Sequence, residues 1–189
     1  MKYVLRILAA LVVIPVLALV AVWLWGMRPE HGHETAEVWI DRPTPQVFLW
    51  IQDDDRVKRW IGGLTEIRQV SAPPSGEVGK KFHLTAFYNG QRVPMDMTIT
   101  KFEKDRALSA VVSSFDDRGN GFTETADYTL SEENGKTLLR FDVHTTYTGF
   151  ILRLLEPMIT PQAKEKLAED FGRLKTLVEA EPGAANSSP

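Results

Sequence analysis

The sequence predicts an α+β fold in which an antiparallel sheet curves around one long C-terminal helix, with a further apolar helix at the N-terminus. Three observations predict it. Residues 64–147 alternate apolar and polar side chains in segments separated by turn-forming residues. Near the C-terminus, apolar side chains recur at helical spacing. Residues 4–25 are apolar almost throughout. The sheet must bury one face, and the C-terminal helix is the only element long enough to cover it.

The N-terminal segment is predicted to be a membrane anchor over residues 1–27. Its apolar run, broken only by Arg6 and Pro15, matches the roughly 20 residues that a helix needs to cross a bilayer. A cleaved signal peptide is the main alternative, but the run is longer than a usual signal core and no clean cleavage motif follows it. A buried core helix is a further alternative. Lys2 and Arg6 place the N-terminus in the cytoplasm, so we expect a single-pass membrane protein with its domain on the outer, periplasmic or extracellular, side.

The rest of the chain has the composition of one ordinary domain. After a linker at 28–33, residues 34–181 suffice for a single core, and residues 182–189 are small, polar and predicted to be disordered. The net charge is −3 with both signs interspersed, which predicts no nucleic-acid partner. The chain has no cysteine, which excludes disulfides, thiolate catalysis and cysteine metal sites.

The domain is predicted to begin with a strand and two short helices. Residues 34–41 alternate as a half-buried strand does. Thr44 is predicted to cap the first short helix with Pro45 at its first position. An aspartate of the run 53–55 is predicted to cap the second, which Gly62-Gly63 ends.

A meander of antiparallel strands is predicted next, and then helix. The strands are expected at 64–70, 80–88, 93–102, 107–115, 122–130 and 137–147. Asn89-Gly90 predicts a tight hairpin. Pro157 and Pro161 are expected to interrupt the C-terminal helical region, which Thr160 then restarts as a cap. The restarted helix carries an apolar stripe of Leu167, Phe171, Leu174 and Val178.

Four local motifs resemble one superfamily. They are IDRPTPQVF at 40–48, Asp53 followed by Trp60, GEVGKKF at 76–82 and GKTLL at 135–139, where Lys136 departs from the more usual glycine. In this order they resemble the helix-grip fold of the SRPBCC superfamily, the START, pollen-allergen and polyketide cyclase group, over residues 34–181. That resemblance implies an apolar ligand held between sheet and helix. The superfamily includes carriers, receptors and ring-closing enzymes, so the resemblance does not specify a function. The anchor is a departure from the typical soluble member.

The predicted inner face of the sheet, set by the two-residue period of strands, supplies a candidate ligand site. A cavity there is one interpretation and a filled core is the other. The candidate ligand-binding residues are Trp60, Phe82, Leu84, Tyr88, Met97, Ala110, Glu124, Tyr128, Phe141, Tyr147, Phe150, Leu154 and Met158.

Glu124 is the candidate catalytic residue. A carboxylate on an otherwise apolar face would have a raised pKa and could act as a general acid or base. The alternative is that Glu124 lies near a strand end or at a bulge beside Gly119 and Gly121, where water would solvate it.

No metal site or cofactor is expected from the sequence. His31 and His33 fall in the predicted linker, and His83 and His144 fall on outer faces of strands that are distant in the sheet order. No set of histidines and carboxylates has a recognised ligand spacing.

Three functions follow from these residues. The first is a membrane-tethered domain that binds a hydrophobic, lipid-like or polycyclic small molecule. The second is an enzyme of the cyclase/dehydratase type that uses Glu124 or a pocket tyrosine. The third is a filled-core module that binds another protein, whose identity the sequence does not indicate.

Overall fold

The computed structural model describes residues 2–26, 32–88 and 90–181, with side chains from residue 13 onward. Predictions for residues 28–31, for Asn89 and for the tail at 182–189 lie outside the described residues. The elements are α1 (Lys2–Gly26), β1 (Gly32–Ile40), α2 (Thr44–Gln52), α3 (Asp54–Trp60), β2 (Leu64–Ser71), β3 (Lys81–Tyr88), β4 (Gln91–Glu103), β5 (Ala107–Phe115), β6 (Gly121–Glu133), β7 (Lys136–Thr148) and α4 (Phe150–Ala180).

The strands form one 7-stranded antiparallel sheet in the order β1-β7-β6-β5-β4-β3-β2. Strands β2 to β7 are neighbours in chain order, so the predicted meander is confirmed. Strand β1 pairs with β7, from Gly32 opposite Thr145 to Ile40 opposite Thr137. Because β1 and β2 are the two edges, α2 and α3 carry the chain across the sheet.

The core lies between this sheet and the helices. Helix α4 packs against β1, β7, α2 and α3. Its predicted apolar stripe is buried at Phe171, Leu174 and Val178, and Leu167 packs against the same core. Trp50 of α2 is fully buried and donates its indole N–H to Glu181 Oε2 at 3.1 Å. The predicted α+β arrangement, a sheet covered by a long C-terminal helix, is confirmed.

Helix α4 runs without a break for 31 residues, so the predicted interruption at Pro157 and Pro161 is wrong. Each proline removes a backbone donor and crowds the preceding turn. Both lie on one side of the helix, because residues four apart share a face. That side is exposed, so water can satisfy the carbonyl groups that lose their donors.

The predicted helix caps are partly right. Asp53 caps α3, since its side chain accepts a hydrogen bond from Arg56 N at 3.0 Å. The predicted Thr44 cap is wrong, because the residue before the first turn of α2 is Pro43. Thr44 instead donates from its backbone N (3.0 Å) and its Oγ1 (3.2 Å) to Glu132 Oε2 on β6.

Helix α1 spans 25 residues, and in its described part most large apolar side chains are exposed. Within the described part of the chain, none of the helices combines the length and the hydropathy that a membrane crossing needs. The transmembrane part of the fold prediction is therefore not supported.

Candidate functional site

A partly open cavity of about 230 Å³ lies between the sheet, the end of α3 and helix α4. Apolar side chains form most of its wall, and ionisable groups lie among them. Its lining residues are Gly32, Glu34, Trp60, Ile61, Glu124, Tyr128, Phe141, Val143, Thr145, Tyr147, Thr160, Ala163, Lys166, Leu167 and Asp170.

Strand register turns Glu124 toward this cavity. Strands β5 and β6 pair without a shift from Ala107 opposite Thr129 to Phe115 opposite Gly121, so no bulge reverses the inward face. Glu124 is directly opposite Thr145 on β7. The bulge in that alternative is therefore not observed. Glu124 is the fourth residue of β6 and so lies near a strand end, where its half-buried side chain lines the cavity.

Two carboxyl groups in the cavity wall, those of Glu34 and Glu124, lie close enough to interact electrostatically. Burial raises the pKa of Glu124, and the nearby Glu34 carboxyl raises it further, while Lys166 and a hydrogen bond with Thr145 oppose the shift. Burial also raises the pKa of Glu34, and Lys164 opposes that shift. Because desolvation penalises the charged form, both groups hold a proton more readily than an exposed glutamate.

Two tyrosines complete the polar part of the wall. Burial raises the pKa of Tyr128, and the negative charges of Glu124 and Asp170 add to the effect. Burial and the carboxyls of Glu124 and Glu34 likewise raise the pKa of Tyr147. Both phenols therefore stay neutral and can donate a hydrogen bond. The Tyr128 ring packs on Phe141 with centroids 4.6 Å apart.

Asp170 is a site residue that sequence reasoning missed. Its side chain is 7% exposed and accepts hydrogen bonds from Gly62 N (2.9 Å), Arg173 Nη1 (3.2 Å) and Lys166 Nζ. Arg173 also donates to Trp60 O at 2.8 Å. These hydrogen bonds of Asp170 and Arg173 connect the end of α3 to α4 at the cavity wall. A signal existed in the sequence, because a carboxylate three residues after Leu167 falls on the apolar stripe.

The predicted ligand-binding residues divide into two groups. Trp60, Glu124, Tyr128, Phe141 and Tyr147 line the cavity. The others do not. Phe82, Leu84 and Ala110 are buried in the core and Met97 packs against it, whereas Tyr88, Phe150 and Met158 are exposed and Leu154 is half-buried. The cavity lies beside β1, β6 and β7, because core side chains fill the space over β3 to β5.

A second groove lies between α1 and the start of α4. It has a volume of about 450 Å³ and is lined by Val16, Leu19, Val20, Val22, Trp23 and Phe150. This groove is larger than the cavity, but all of its lining side chains are apolar. Ligand sites usually combine apolar walls with a few polar groups that fix orientation, so the cavity is the better candidate.

The histidines differ from their prediction. His33 lies in β1 and not in a linker, and it is directly opposite His144 of β7. The expectation that His33 belongs to a linker is therefore wrong. The expectation that His83 and His144 lie on distant strands is confirmed, because β6, β5 and β4 lie between β7 and β3. His31 lies outside the described residues.

Comparison with known proteins agrees with this architecture. The sequence pattern of one family, described as Activator of Hsp90 ATPase homolog 1-like protein, matches residues 41–179. A search of curated proteins gave no match.

Several solved structures share the fold. Ara h 8.0201 is 14% identical with a TM-score of 0.61, over 80% of this chain and 100% of that one. A conserved protein from Geobacillus kaustophilus is 11% identical with a TM-score of 0.64, over 77% and 94%. DynU16, from the dynemicin biosynthetic locus, is 22% identical with a TM-score of 0.56, over 79% and 48%. At these identities the likeness shows the helix-grip fold alone.

Proposed function

Because the chain belongs to the family of Activator of Hsp90 ATPase homolog 1-like proteins, whose SRPBCC-type fold generally binds hydrophobic ligands, we propose that its cavity binds a small hydrophobic molecule with one hydrogen-bonding group. The observation that carries the proposal is that a mostly apolar wall also contains the interacting carboxyls of Glu34 and Glu124. Glu124 has one hydrogen bond, with Thr145, and a carboxyl group can accept more than one. A ligand hydroxyl or amine directed at these carboxyls would use the remaining acceptor positions.

The volume limits the size of the ligand. Cavities for drug-sized ligands measure about 300–1,000 Å³, and an apolar cavity of about 150 Å³ accepts benzene. At about 230 Å³ this cavity lies between the two. A bicyclic ring system or a short acyl chain is therefore the expected body of the ligand, which is the small end of the lipid-like or polycyclic class.

Fluorescence titration with 2-naphthol and with naphthalene tests this proposal. The wild type should prefer 2-naphthol, since a hydrogen bond to a buried carboxyl contributes about 1–3 kcal/mol, or roughly 5- to 150-fold in affinity. Glu124→Leu should remove most of that preference while keeping naphthalene binding. An unchanged ratio of the two affinities in Glu124→Leu would contradict the proposed orientation.

A second pair of variants tests the location. Ala163→Trp places an indole at the cavity wall and should weaken the binding of both probes. Ala168→Trp is the matched control, because Ala168 is exposed on the same helix and does not line the cavity. Equal binding by both variants would show that the probes occupy another place.

Proton-transfer catalysis is the second candidate function, and the inward position of Glu124 favours it. A carboxyl with a raised pKa beside a cavity can act as a general acid or base, which contributes about 10²–10⁴-fold to a rate. The probe is 2-tetralone, a bicyclic ketone, with hydrogen–deuterium exchange at its α-carbons followed by NMR. Acceleration by the wild type that is lost in Glu124→Gln supports catalysis. If the wild type binds 2-naphthol but does not accelerate the exchange, ligand binding remains as the function and catalysis is rejected.

The third function, a filled-core module, is disfavoured by the cavity itself.

We also propose that residues 4–25 hold the protein at a membrane, with the N-terminus cytoplasmic and the domain outside. The support is the apolar sequence, together with the exposure of Ile14, Leu17 and Leu19 at 61–69%. The full chain should stay with membranes after a carbonate wash, and the double variant Leu17→Arg/Leu19→Arg should be released. Release of the wild type would overturn the proposal. Protease protection in sealed vesicles tests the orientation.

A further inference from the structure

Two histidines and one aspartate converge on the outer face of the sheet, opposite the cavity. His33 Nε2 lies 3.1 Å from Asp142 Oδ2, and His144 Nε2 lies 3.2 Å from Asp142 Oδ1. One potential ligand atom from each of the three residues lies within 4.8 Å of the others.

Strand pairing fixes this arrangement. His33 of β1 is directly opposite His144 of β7, and their rings stack with centroids 4.1 Å apart and an interplanar angle of 4°. Asp142 precedes His144 by two residues, so it projects from the same face. The three side chains are therefore held together by backbone register and not by a mobile loop.

The local charge favours a cation at this place. Asp142 is directly opposite Asp127 of β6, and like charges in that position destabilise a sheet. Among the described residues, the ion pairs of Asp142 are those with His33 and His144. A carboxylate can only accept a hydrogen bond, so His33 Nε2 must carry a proton to donate one to Asp142. A divalent ion could replace that proton and bring its positive charge to the same carboxylate.

We propose that His33, Asp142 and His144 bind a divalent transition-metal ion, with Zn²⁺ as the representative. Imidazole nitrogen and carboxylate oxygen are established zinc donors, and sites with three protein ligands keep a fourth position for water or another ligand. The ion would lie on the other side of the sheet from the cavity, so this site is independent of the proposed hydrophobic ligand.

The test is calorimetric titration of ZnCl₂ into the untagged full chain after treatment with a chelator, at pH 7.5. One zinc per chain should bind to the wild type. His33→Ala and His144→Ala should each lower the affinity by about tenfold or more, since even the loss of an outer-shell partner costs roughly 10–100-fold.

His83→Ala is the matched control. His83 also pairs with a carboxylate, at 3.0 Å from Asp96, but no second histidine joins that pair in the described part of the chain. The zinc affinity of His83→Ala should equal that of the wild type. Thermal unfolding without zinc should be the same for His33→Ala and His144→Ala, because these two side chains are exposed, and should differ little for His83→Ala, whose side chain is half-buried.

Two outcomes would overturn the proposal. The first is the absence of stoichiometric zinc binding to the wild type. The second is wild-type affinity in His144→Ala, which would place any bound zinc on other groups, such as His31 and His33 alone.

Discussion

Replacement of Asp170 by alanine should destabilise the protein by about 1–5 kcal/mol. Its loss leaves the half-buried Gly62 N–H without its acceptor, and about 1–3 kcal/mol, the cost for a fully buried group, is the upper range for that loss. Lys166 and Arg173 also lose their partner, but their side chains are 36% and 43% exposed. Solvent screening therefore limits each of these two pairs to about 0.2–1 kcal/mol. Arg173 keeps its bond to Trp60 O.

Urea unfolding followed by tryptophan fluorescence and by circular dichroism measures this difference. Asp170→Asn should cost less than Asp170→Ala, because the amide oxygen can still accept from Gly62 N. For a chain of this size each kcal/mol shifts the melting temperature by about 2–4 °C. Glu169→Ala is the control, since Glu169 is the exposed neighbour on the same helix and should stay within about 0.5 kcal/mol of the wild type.

Equal stability of Asp170→Ala and Glu169→Ala would refute this reasoning. It would mean that the three hydrogen bonds to Asp170 do no more than repay the desolvation of its carboxylate.

Three further predictions concern stability. Glu124→Gln should become increasingly stabilising relative to the wild type as pH rises above 4.5, the ordinary pKa of a glutamate. The raised pKa of Glu124 makes the unfolded state lose its proton first, so the wild type is destabilised in that window, and denaturation at several pH values would detect it. Leu174→Ala should cost about 2–5 kcal/mol in urea unfolding because Leu174 is fully buried, whereas Ile151→Ala, at an exposed site, should cost far less. Gly63→Ala should cost at least about 1–3 kcal/mol by the same assay, because φ is +84° and the new Cβ would lie 2.5 Å from Phe87 O; a neutral result would contradict that geometry.

The fold could be predicted from sequence because its signals are local. Period-two alternation and turn residues located the strands of the meander, and the spacing of Phe171, Leu174 and Val178 located the covering helix. The continuity of α4 could not be predicted, because local preference at Pro157 and Pro161 opposes it and the exposure of that helical face decides the outcome.

The site could be predicted only in part. The two-residue period placed Glu124 and Tyr128 on the inner face, but it could not say which part of that face the core fills. Glu34 lies on the same predicted face as Ala36 and Val38, yet its approach to Glu124 depends on β1 pairing with β7 across more than 100 residues of chain. The meeting of His33 with His144 depends on the same pairing, which no local pattern encodes.

The central claim is that a small hydrophobic molecule binds between the sheet and α4. Nuclear Overhauser contacts between the ring protons of bound 2-naphthol and the methyl groups of the protein test it most directly. Contacts to Val143 and Leu167, which line the cavity, are predicted. Contacts confined to Val16, Leu19 and Val20 in the groove between α1 and α4, or no contacts at saturating naphthol, would contradict the claim.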